Sequence, residues 1–189
     1  MDPFITSVYI SEISIQCQLA LNAIHIAKVS LDQINRTDDF DKIFFLQNEV
    51  FRNVHSFLVH AGVVSKFLWP SLTGLVKERK KFASDRGKSL RGVLDLSNDN
   101  HPLKDRTIRN HLEHLDTRLD DWVITSQRHI YVQYIIGSPG DIKGSVDTDI
   151  MCVLDPLKLT YYFRGEIFDL KSLEASLIQV YSGASELKK

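Results

Sequence analysis

A long run without glycine or proline opens the chain and constrains its fold more than any other feature. Residues 4–34 place apolar side chains mostly at steps of three and four, which is the helical period. Asp2 followed by Pro3 is a typical helix start, because the carboxylate can cap the first turn and proline fits its first position. We therefore predict a helix up to residue 34, followed by a polar turn over residues 35–41 that caps the next helix.

A second helix is predicted over residues 41–68, since Pro70 disfavours helix in the residue before it. This segment is apolar over most of its surface, so we expect it to lie at the centre of a helical bundle. Its two histidines, His55 and His60, are five residues apart, whereas metal ligands on one helix are spaced by three or four. We interpret them as packed, hydrogen-bonded residues.

The third predicted helix carries the most regular pattern in the chain. It extends from about residue 103 to residue 127, after a less regular segment over residues 71–104. Its apolar residues alternate between steps of four and three, which places them on one side of a helix. This predicted core stripe consists of Ile108, Leu112, Leu115, Leu119 and Trp122.

The composition changes over residues 137–144 (GSPGDIKG), where glycine and proline concentrate. Residues 149–170 are rich in β-branched and aromatic side chains. Turn signals interrupt them at residues 155–156 and 164–166. This pattern predicts two or three short strands in a small antiparallel sheet.

The predicted fold is therefore mainly α. Residues 1–136 form an antiparallel helical bundle, and residues 137–189 add a small C-terminal antiparallel β-appendage and a final helix. That helix covers residues 171–183 and ends on Gly183, a typical C-cap. We expect residues 1–189 to form a single domain, because this length fits one hydrophobic core.

Charge and cysteine content indicate a compartment rather than an activity. The formal net charge is -1, so no global excess of positive charge indicates nucleic acid or an anionic membrane. The start of the chain lacks the basic region of a secretory signal, and no uncharged apolar run reaches the ~18 residues of a membrane span. Cys17 and Cys152 lie in apolar settings without a CxxC pair, which is typical of buried, inert thiols. We expect a cytoplasmic protein that does not enter a membrane.

Residues 109–114 (RNHLEH) gather reactive side chains within two turns of the third predicted helix. On a helical projection Asn110, Glu113 and His114 fall opposite the apolar stripe, whereas His111 lies near its edge. The amide at position 110 can orient the imidazole one turn later. Histidine transfers protons near neutral pH, and arginine holds phosphate through a bidentate fork. The pattern indicates either a solvated helix face, which is the commoner case, or a catalytic or binding site.

The same six residues resemble the signature of the HEPN superfamily (higher eukaryotes and prokaryotes nucleotide-binding domains). That signature is an arginine, then Asn, Asp or His, three further residues and a histidine. Arg109, Asn110 and His114 occupy these positions here. The motif also lies on a late helix of a predicted α-bundle, and the resemblance covers roughly residues 4–130.

Many HEPN proteins are metal-independent endoribonucleases of toxin–antitoxin, abortive-infection and CRISPR-associated defence systems. Others are non-catalytic helical modules that bind a nucleotide, RNA or a protein. In the nucleases, two protomers pair so that their motif helices face each other across an RNA cleft. The resemblance thus implies a homodimer with an RNA substrate and no metal or cofactor, and it leaves room for an antitoxin or regulatory protein. It would make Arg109 a ligand of the scissile phosphate, His114 an acid–base group and Asn110 the residue that orients the site.

Two features complicate this resemblance. HEPN toxins paired with a nucleotidyltransferase antitoxin commonly carry a tyrosine two positions after the histidine. Asp116 stands there, which puts regulation through that tyrosine in doubt. Arg106 and His111 also form a second Arg–x4–His frame, but its second residue is Thr107 and its histidine lies near the buried edge. We favour the downstream frame.

A basic segment, residues 77–91 (KERKKFASDRGKSLR), is the expected source of contacts to RNA phosphates. The alternative is a solvated loop or helix face. The predicted RNA-binding residues are Lys77, Arg79, Lys80, Lys81, Arg86 and Lys88, with Arg106 from the third helix.

An Asp–x–Asp pair, Asp147 and Asp149, lies on a predicted strand and resembles the metal-binding carboxylates of nucleotidyltransferases. Those enzymes place a Gly-Ser helix ahead of the pair, and this chain lacks that helix in the right order. A magnesium-dependent nucleotide transferase is therefore the less favoured alternative.

Overall fold

The computed structural model describes residues 1–96, 100–105 and 107–187, except for the side chains of Ile108 and Arg109. Within that part, the chain is mainly helical, with a small four-stranded sheet before the last helix. The helices are α1 (Pro3–Ile34), α2 (Phe40–Leu68), α3 (Lys77–Val93), α4 (Thr107–Glu113), α5 (Leu115–Thr125) and α6 (Leu170–Glu186). The strands are β1 (Ile135–Ile136), β2 (Val153–Asp155), β3 (Thr160–Phe163) and β4 (Glu166–Asp169).

Helices α1 and α2 confirm the two long helices predicted from the sequence. The backbone N–H of Ile5 donates to Asp2 Oδ1 at 3.1 Å, so the predicted cap forms. In the turn that follows α1, Asp39 Oδ1 accepts from the N–H groups of Asp41 and Lys42 at 3.0 and 3.1 Å. These carboxylates satisfy amides that have no partner within the helix, which explains why both helices begin where they do.

By length and composition, α1 is the one described helix that could cross a membrane. A core helix of a globular protein or a signal sequence passes the same test. Only 28% of the most apolar window of α1 is buried, so core contacts alone do not account for its hydropathy.

Helix α3 was not predicted, because few of its residues are apolar. It buries only Ala83, Gly87 and Leu90, spaced by four and three, and most of its other residues are polar. Two of the three buried residues are small, since α3 approaches its neighbour closely there. A Cβ on Gly87 would lie 2.7 Å from the side chain of Pro70.

The third helix is not continuous over residues 103–127, contrary to the prediction. A 3-10 turn at Pro102–Lys104 precedes α4, and the chain leaves helical geometry at His114 (φ -120°, ψ 39°) before α5. The carbonyl of His114 accepts both the N–H of Arg118 at 3.1 Å and the hydroxyl of Thr117 at 2.8 Å. The N–H of His114 also keeps its bond to the carbonyl of Asn110 at 3.1 Å, so the interruption is confined to the backbone angles of His114.

This interruption changes the role of the predicted core stripe. Its described members are half-buried, and α5 buries no residue fully. The indole N–H of Trp122 donates to the carbonyl of Ile130 at 3.0 Å, and its ring lies 5.1 Å from that of Tyr131. The stripe therefore covers a loop rather than filling the centre of a bundle. The half-buried members are Leu112, Leu115, Leu119 and Trp122.

The C-terminal sheet is mixed, whereas the sequence predicted an antiparallel one. Its strand order is β1-β2-β3-β4, and the β2–β3 and β3–β4 pairs are antiparallel as expected. Strand β1 pairs in parallel with β2, with Ile135 opposite Val153. Because β1 has two residues, it carries no alternating pattern that could have revealed it. The predicted turns are confirmed: β2 ends at Asp155, and Gly165 (φ 84°) lies between β3 and β4.

Helix α6 extends past the predicted C-cap. Gly183 lies inside the helix, which continues to Glu186. The apolar face of α6 also continues beyond the glycine, because Ala184 is fully buried. Packing of Ala184 therefore favours a helix that continues past the glycine.

Contacts divide the chain into two compact units. The first comprises Met1–Ala23, Ser56–Arg106 and Leu173–Lys189, and the second comprises Ile24–His55 and Thr107–Ser172. The sheet and the motif helix α4 belong to the second unit. Fully buried residues include Ile13, Phe57, Leu58, Leu90 and Leu103 in the first unit, and Ile24, Val50, Met151, Tyr161 and Phe163 in the second.

Candidate functional site

Helix α4 presents most of the described RNHLEH motif to solvent. Asn110, Glu113 and His114 are exposed, as the helical projection predicted. The N–H of His114 still donates to the carbonyl of Asn110 at 3.1 Å, so the backbone keeps these two positions one turn apart. The side chain of Arg109 and the whole of Arg106 lie outside the described residues.

His111 occupies the opposite side of α4 and is buried. Its Nε2 lies 2.9 Å from Glu166 Oε1, and since a carboxylate only accepts, the imidazole donates. The ring stacks on Phe163, with centroids 4.9 Å apart and an interplanar angle of 21°. Phe168 contacts it edge-on at 6.4 Å. His111 therefore attaches α4 to the β3–β4 hairpin.

Sequence reasoning missed Glu166 as a partner of the motif. The two residues are 55 positions apart, and Glu166 follows a turn glycine at the start of a short strand. No local spacing relates a strand carboxylate to a helix histidine at that separation. Only the hairpin that pairs Glu166 with Phe163 brings the carboxylate next to His111.

The hairpin is attached to α5 as well. Arg164, in the β3–β4 turn, donates from Nη1 to the carbonyl of Arg118 at 3.1 Å. Its Nη2 lies 3.5 Å from the hydroxyl of Thr125. The hairpin thus contacts the helices on both sides of His114 and restrains the orientation of the exposed motif face.

The two motif histidines differ in how accessible their ring nitrogens are to a substrate. His111 has one ring nitrogen engaged by a carboxylate, and its Nδ1 is buried without a hydrogen-bond partner among the described residues. His114 is exposed, and its side chain makes no capping hydrogen bond to α5. A proton-transfer group must reach its substrate, so the exposed histidine suits that role better than the buried one.

The predicted phosphate contacts lie on α3, and one of them is engaged within the fold. The guanidinium of Arg86 lies 5.4 Å from the ring centroid of Tyr9 and 5.9 Å from that of Phe67. It also donates to the carbonyl of Lys66 at 3.1 Å. Arg86 therefore packs as a cation–π residue. The other predicted residues of α3 are exposed: Lys77, Arg79, Lys80, Lys81 and Lys88.

The Asp–x–Asp pair does not form a shared carboxylate site. Asp149 is buried; its Oδ1 accepts the hydroxyl of Ser126 at 2.7 Å, and its Oδ2 lies 3.4 Å from the N–H of Val146. Asp147 is exposed. Within residues 1–96, 100–105 and 107–187, no three His, Cys, Asp or Glu side chains converge as metal ligands. Asp149 acts as a structural acceptor here.

His55 belongs to a buried polar cluster and not to a reactive site. Its Nε2 lies 3.1 Å from the hydroxyl of Tyr161, which donates to Cys152 Sγ at 3.0 Å. Burial lowers the pKa of His55 and raises the pKa of the Cys152 thiol to about 11, so both are neutral near pH 7. His60 is packed too, with Nδ1 2.7 Å from Gln16 Oε1. These contacts confirm the interpretation of both histidines as packed, hydrogen-bonded residues.

Both cysteines are buried and free of disulfides, as expected. Burial raises the pKa of Cys17 to about 12. A thiol that stays protonated at neutral pH is a poor nucleophile, so neither cysteine contributes to the candidate site.

Comparisons with known proteins do not place the chain in a family. No protein-family model matches it, and neither the curated proteins nor the solved structures contain a match. The candidate site therefore rests on the exposed Asn110 of α4, on the exposed His114 between α4 and α5, and on the anchored His111.

Proposed function

We propose that this chain is a HEPN-like, metal-independent endoribonuclease that cleaves RNA in a composite cleft of a homodimer, within a cytoplasmic toxin or defence system. The observation that supports it most is the exposure of Asn110 on α4 and of His114, one turn later and directly after that helix. The hydrogen bond and the ring stacking of His111 hold α4 and so restrain both positions. A rigid support of this kind is what an acid–base site needs.

The proposed chemistry assigns proton transfer to histidine. One His114 takes the proton of a ribose 2′-hydroxyl, whose oxygen then attacks the adjacent phosphorus. The bond from phosphorus to the 5′-oxygen breaks, and the His114 of the second copy protonates that leaving oxygen. The products are a 2′,3′-cyclic phosphate and a 5′-hydroxyl. Arg109 would stabilise the charge on the phosphate, and Asn110 would orient the imidazole.

Exposed basic residues of α3 are the proposed contacts for the RNA backbone. Lys77, Arg79, Lys80, Lys81 and Lys88 carry this role, whereas Arg86 contributes to packing. Binding through such residues is electrostatic, so affinity for RNA should fall steeply as salt increases.

Cleavage of end-labelled RNA by the purified full chain in EDTA tests the proposal. We expect products with 2′,3′-cyclic phosphate ends, and we expect Arg109→Ala and His114→Ala to lower the rate by at least about 100-fold. His25→Ala is the matched control, since His25 is an exposed histidine on another helix. Thermal melts establish that each variant is folded.

Two outcomes would contradict the proposal. If folded His114→Ala cleaves RNA at the wild-type rate, the chemistry lies elsewhere. If the wild-type chain binds RNA, a nucleotide or a protein but never cleaves, it is the non-catalytic helical module that the same motif also allows.

A further inference from the structure

Helix α1 has two apolar faces, and among the residues that the structure describes only one of them is packed. The packed face buries Ile13, Cys17, Ala20, Ile24 and Ala27. The opposite face exposes six apolar side chains. Together with the two polar residues between them, they form what we call the α1 stripe: Ile5, Val8, Glu12, Ile15, Leu19, Asn22, Ile26 and Val29.

The spacing of the α1 stripe is that of a coiled-coil seam. Its members follow one another at alternating steps of three and four, without exception, from Ile5 to Val29. A strict seven-residue repeat of this kind is narrower than the apolar face of an ordinary surface helix, and it favours left-handed pairing with one other helix. The positions that flank the seam are mostly uncharged, among them Tyr9, Gln16 and Gln18.

We propose that the α1 stripe binds the α1 stripe of a second copy of this chain in antiparallel orientation. The stripe reads almost the same in both directions about residue 17. A two-fold axis there makes every contact reciprocal, as an isologous interface requires. It sets Ile5 against the partner's Val29, Val8 against the partner's Ile26, Ile15 against the partner's Leu19, and Glu12 against the partner's Asn22.

The two polar members of the stripe favour the antiparallel orientation. In an in-register parallel pair, Glu12 would face the partner's Glu12, and two like charges would repel each other in the seam. In the antiparallel pair, the amide of Asn22 can donate to the partner's Glu12. That carboxylate already accepts from Gln16 Nε2 at 2.8 Å and has lone pairs to spare. A single polar layer in an apolar seam commonly sets orientation and register.

The area available suits a weak dimer. The α1 stripe runs over 25 residues from Ile5 to Val29, so it is about 38 Å long and about 10 Å wide, and two such faces bury about 750 Å² in total. That is below the ~1,000 Å² of a stable, specific interface, so we expect a weak dimer that forms only at high concentration. The interface lies on a different helix from the motif, and the inference does not depend on the proposed ribonuclease activity.

Sedimentation of the full chain over a range of concentrations tests the proposal. Ile15→Glu and Ile26→Glu should raise the dimer dissociation constant at least about tenfold, because each would bury an unpaired charge in the seam. Val59→Glu is the matched control: Val59 and Ile26 are both 44% exposed on long helices, but Val59 lies outside the stripe. Far-UV circular dichroism melts exclude unfolding as the cause.

The proposal is overturned if the wild-type chain stays monomeric at every concentration, or if the stripe variants dimerise as well as the control. A monomer that sediments with phosphatidylserine vesicles through Ile15 and Ile26 would instead assign the stripe to a membrane surface, which also overturns it.

Asn22→Lys tests the orientation. In an antiparallel pair, the introduced lysine faces the partner's Glu12, so the dimer should tighten. In a parallel pair, two introduced lysines face each other and the dimer should weaken. An unchanged or weaker dimer refutes the antiparallel arrangement. The double change Glu12→Gln and Asn22→Lys removes the attraction, so it should cancel the gain.

Discussion

The two histidines of the RNHLEH motif should respond in opposite ways to replacement by alanine. His111 is 9% exposed, hydrogen-bonded to Glu166 and stacked on Phe163, so its removal should destabilise the fold. His114 is exposed and makes no capping bond, so its removal should leave stability unchanged. Replacing each histidine in turn therefore distinguishes an anchoring role from a chemical role within the six-residue motif.

The expected loss of stability for His111→Ala follows from two contacts and the cavity that the ring would leave. The hydrogen bond to Glu166 contributes about 0.5–1.5 kcal/mol. The stacked aromatic pair contributes about 0.5–1.5 kcal/mol, and the cavity left by the ring costs about 1 kcal/mol more. The sum is about 2–4 kcal/mol, which lowers the melting temperature of a chain of this size by about 4–16 °C. His114→Ala should stay within about 0.5 kcal/mol of wild type.

Urea unfolding followed by circular dichroism measures both variants, and Glu166→Gln serves as a partial variant that keeps the ring contacts. If His111→Ala unfolds at the wild-type urea concentration, the contacts between α4 and the hairpin do not stabilise the protein. If His114→Ala loses as much stability as His111→Ala, His114 is a structural residue and its proposed role in proton transfer fails.

Three other changes have outcomes that follow from the structure. Burial lowers the pKa of His55, so below pH ~6.5 the unfolded chain binds more protons than the folded chain. The free energy of unfolding should therefore fall as the pH decreases from there. His55→Gln should weaken this pH dependence in urea titrations between pH 5 and 7. Gly87→Ala should lower the melting temperature, because the new Cβ would lie 2.8 Å from the backbone carbonyl of Leu68. Gly92→Ala has nothing within 4 Å of its Cβ, so it should raise the free energy of unfolding by about 0.5–1 kcal/mol. Equal effects of the two changes would contradict the close approach of α3. Asp149→Ala should lower the free energy of unfolding by about 1–3 kcal/mol, since it leaves the buried hydroxyl of Ser126 without its acceptor. Asp147→Ala, at an exposed site, should change it little. The reverse order in thermal melts would refute the structural role of Asp149.

Features set by neighbouring residues could be predicted from the sequence. The starts of α1 and α2 follow from carboxylates that cap the first turn, Asp2 and Asp39. The turns after β2 and β3 follow from Asp155–Pro156 and Gly165, whose backbone preferences act within a few residues. The exposure of Asn110 and His114 was also predictable, because the projection needs only the helical period over one or two turns.

The same projection failed over a longer distance. It treated residues 103–127 as one straight helix, but the backbone leaves helical geometry at His114 (φ -120°, ψ 39°). A change of backbone angles at one residue leaves the spacing of the apolar residues unaltered, so periodicity alone does not reveal it. As a result, Leu115 and Trp122 are half-buried instead of forming a core stripe.

Only the tertiary structure decided which distant residues meet. The parallel pairing of β1 with β2, the contact of His111 with Glu166 and the packing of Arg86 on Tyr9 all join residues far apart in the chain. Each is a contact between surfaces that become neighbours only after the chain has folded, so no pattern of neighbouring residues in the sequence predicts it. The sequence by itself determined which residues α4 shows to solvent. The fold decided which histidine would anchor that helix and which would stay free to act, because burial and partners depend on the whole chain.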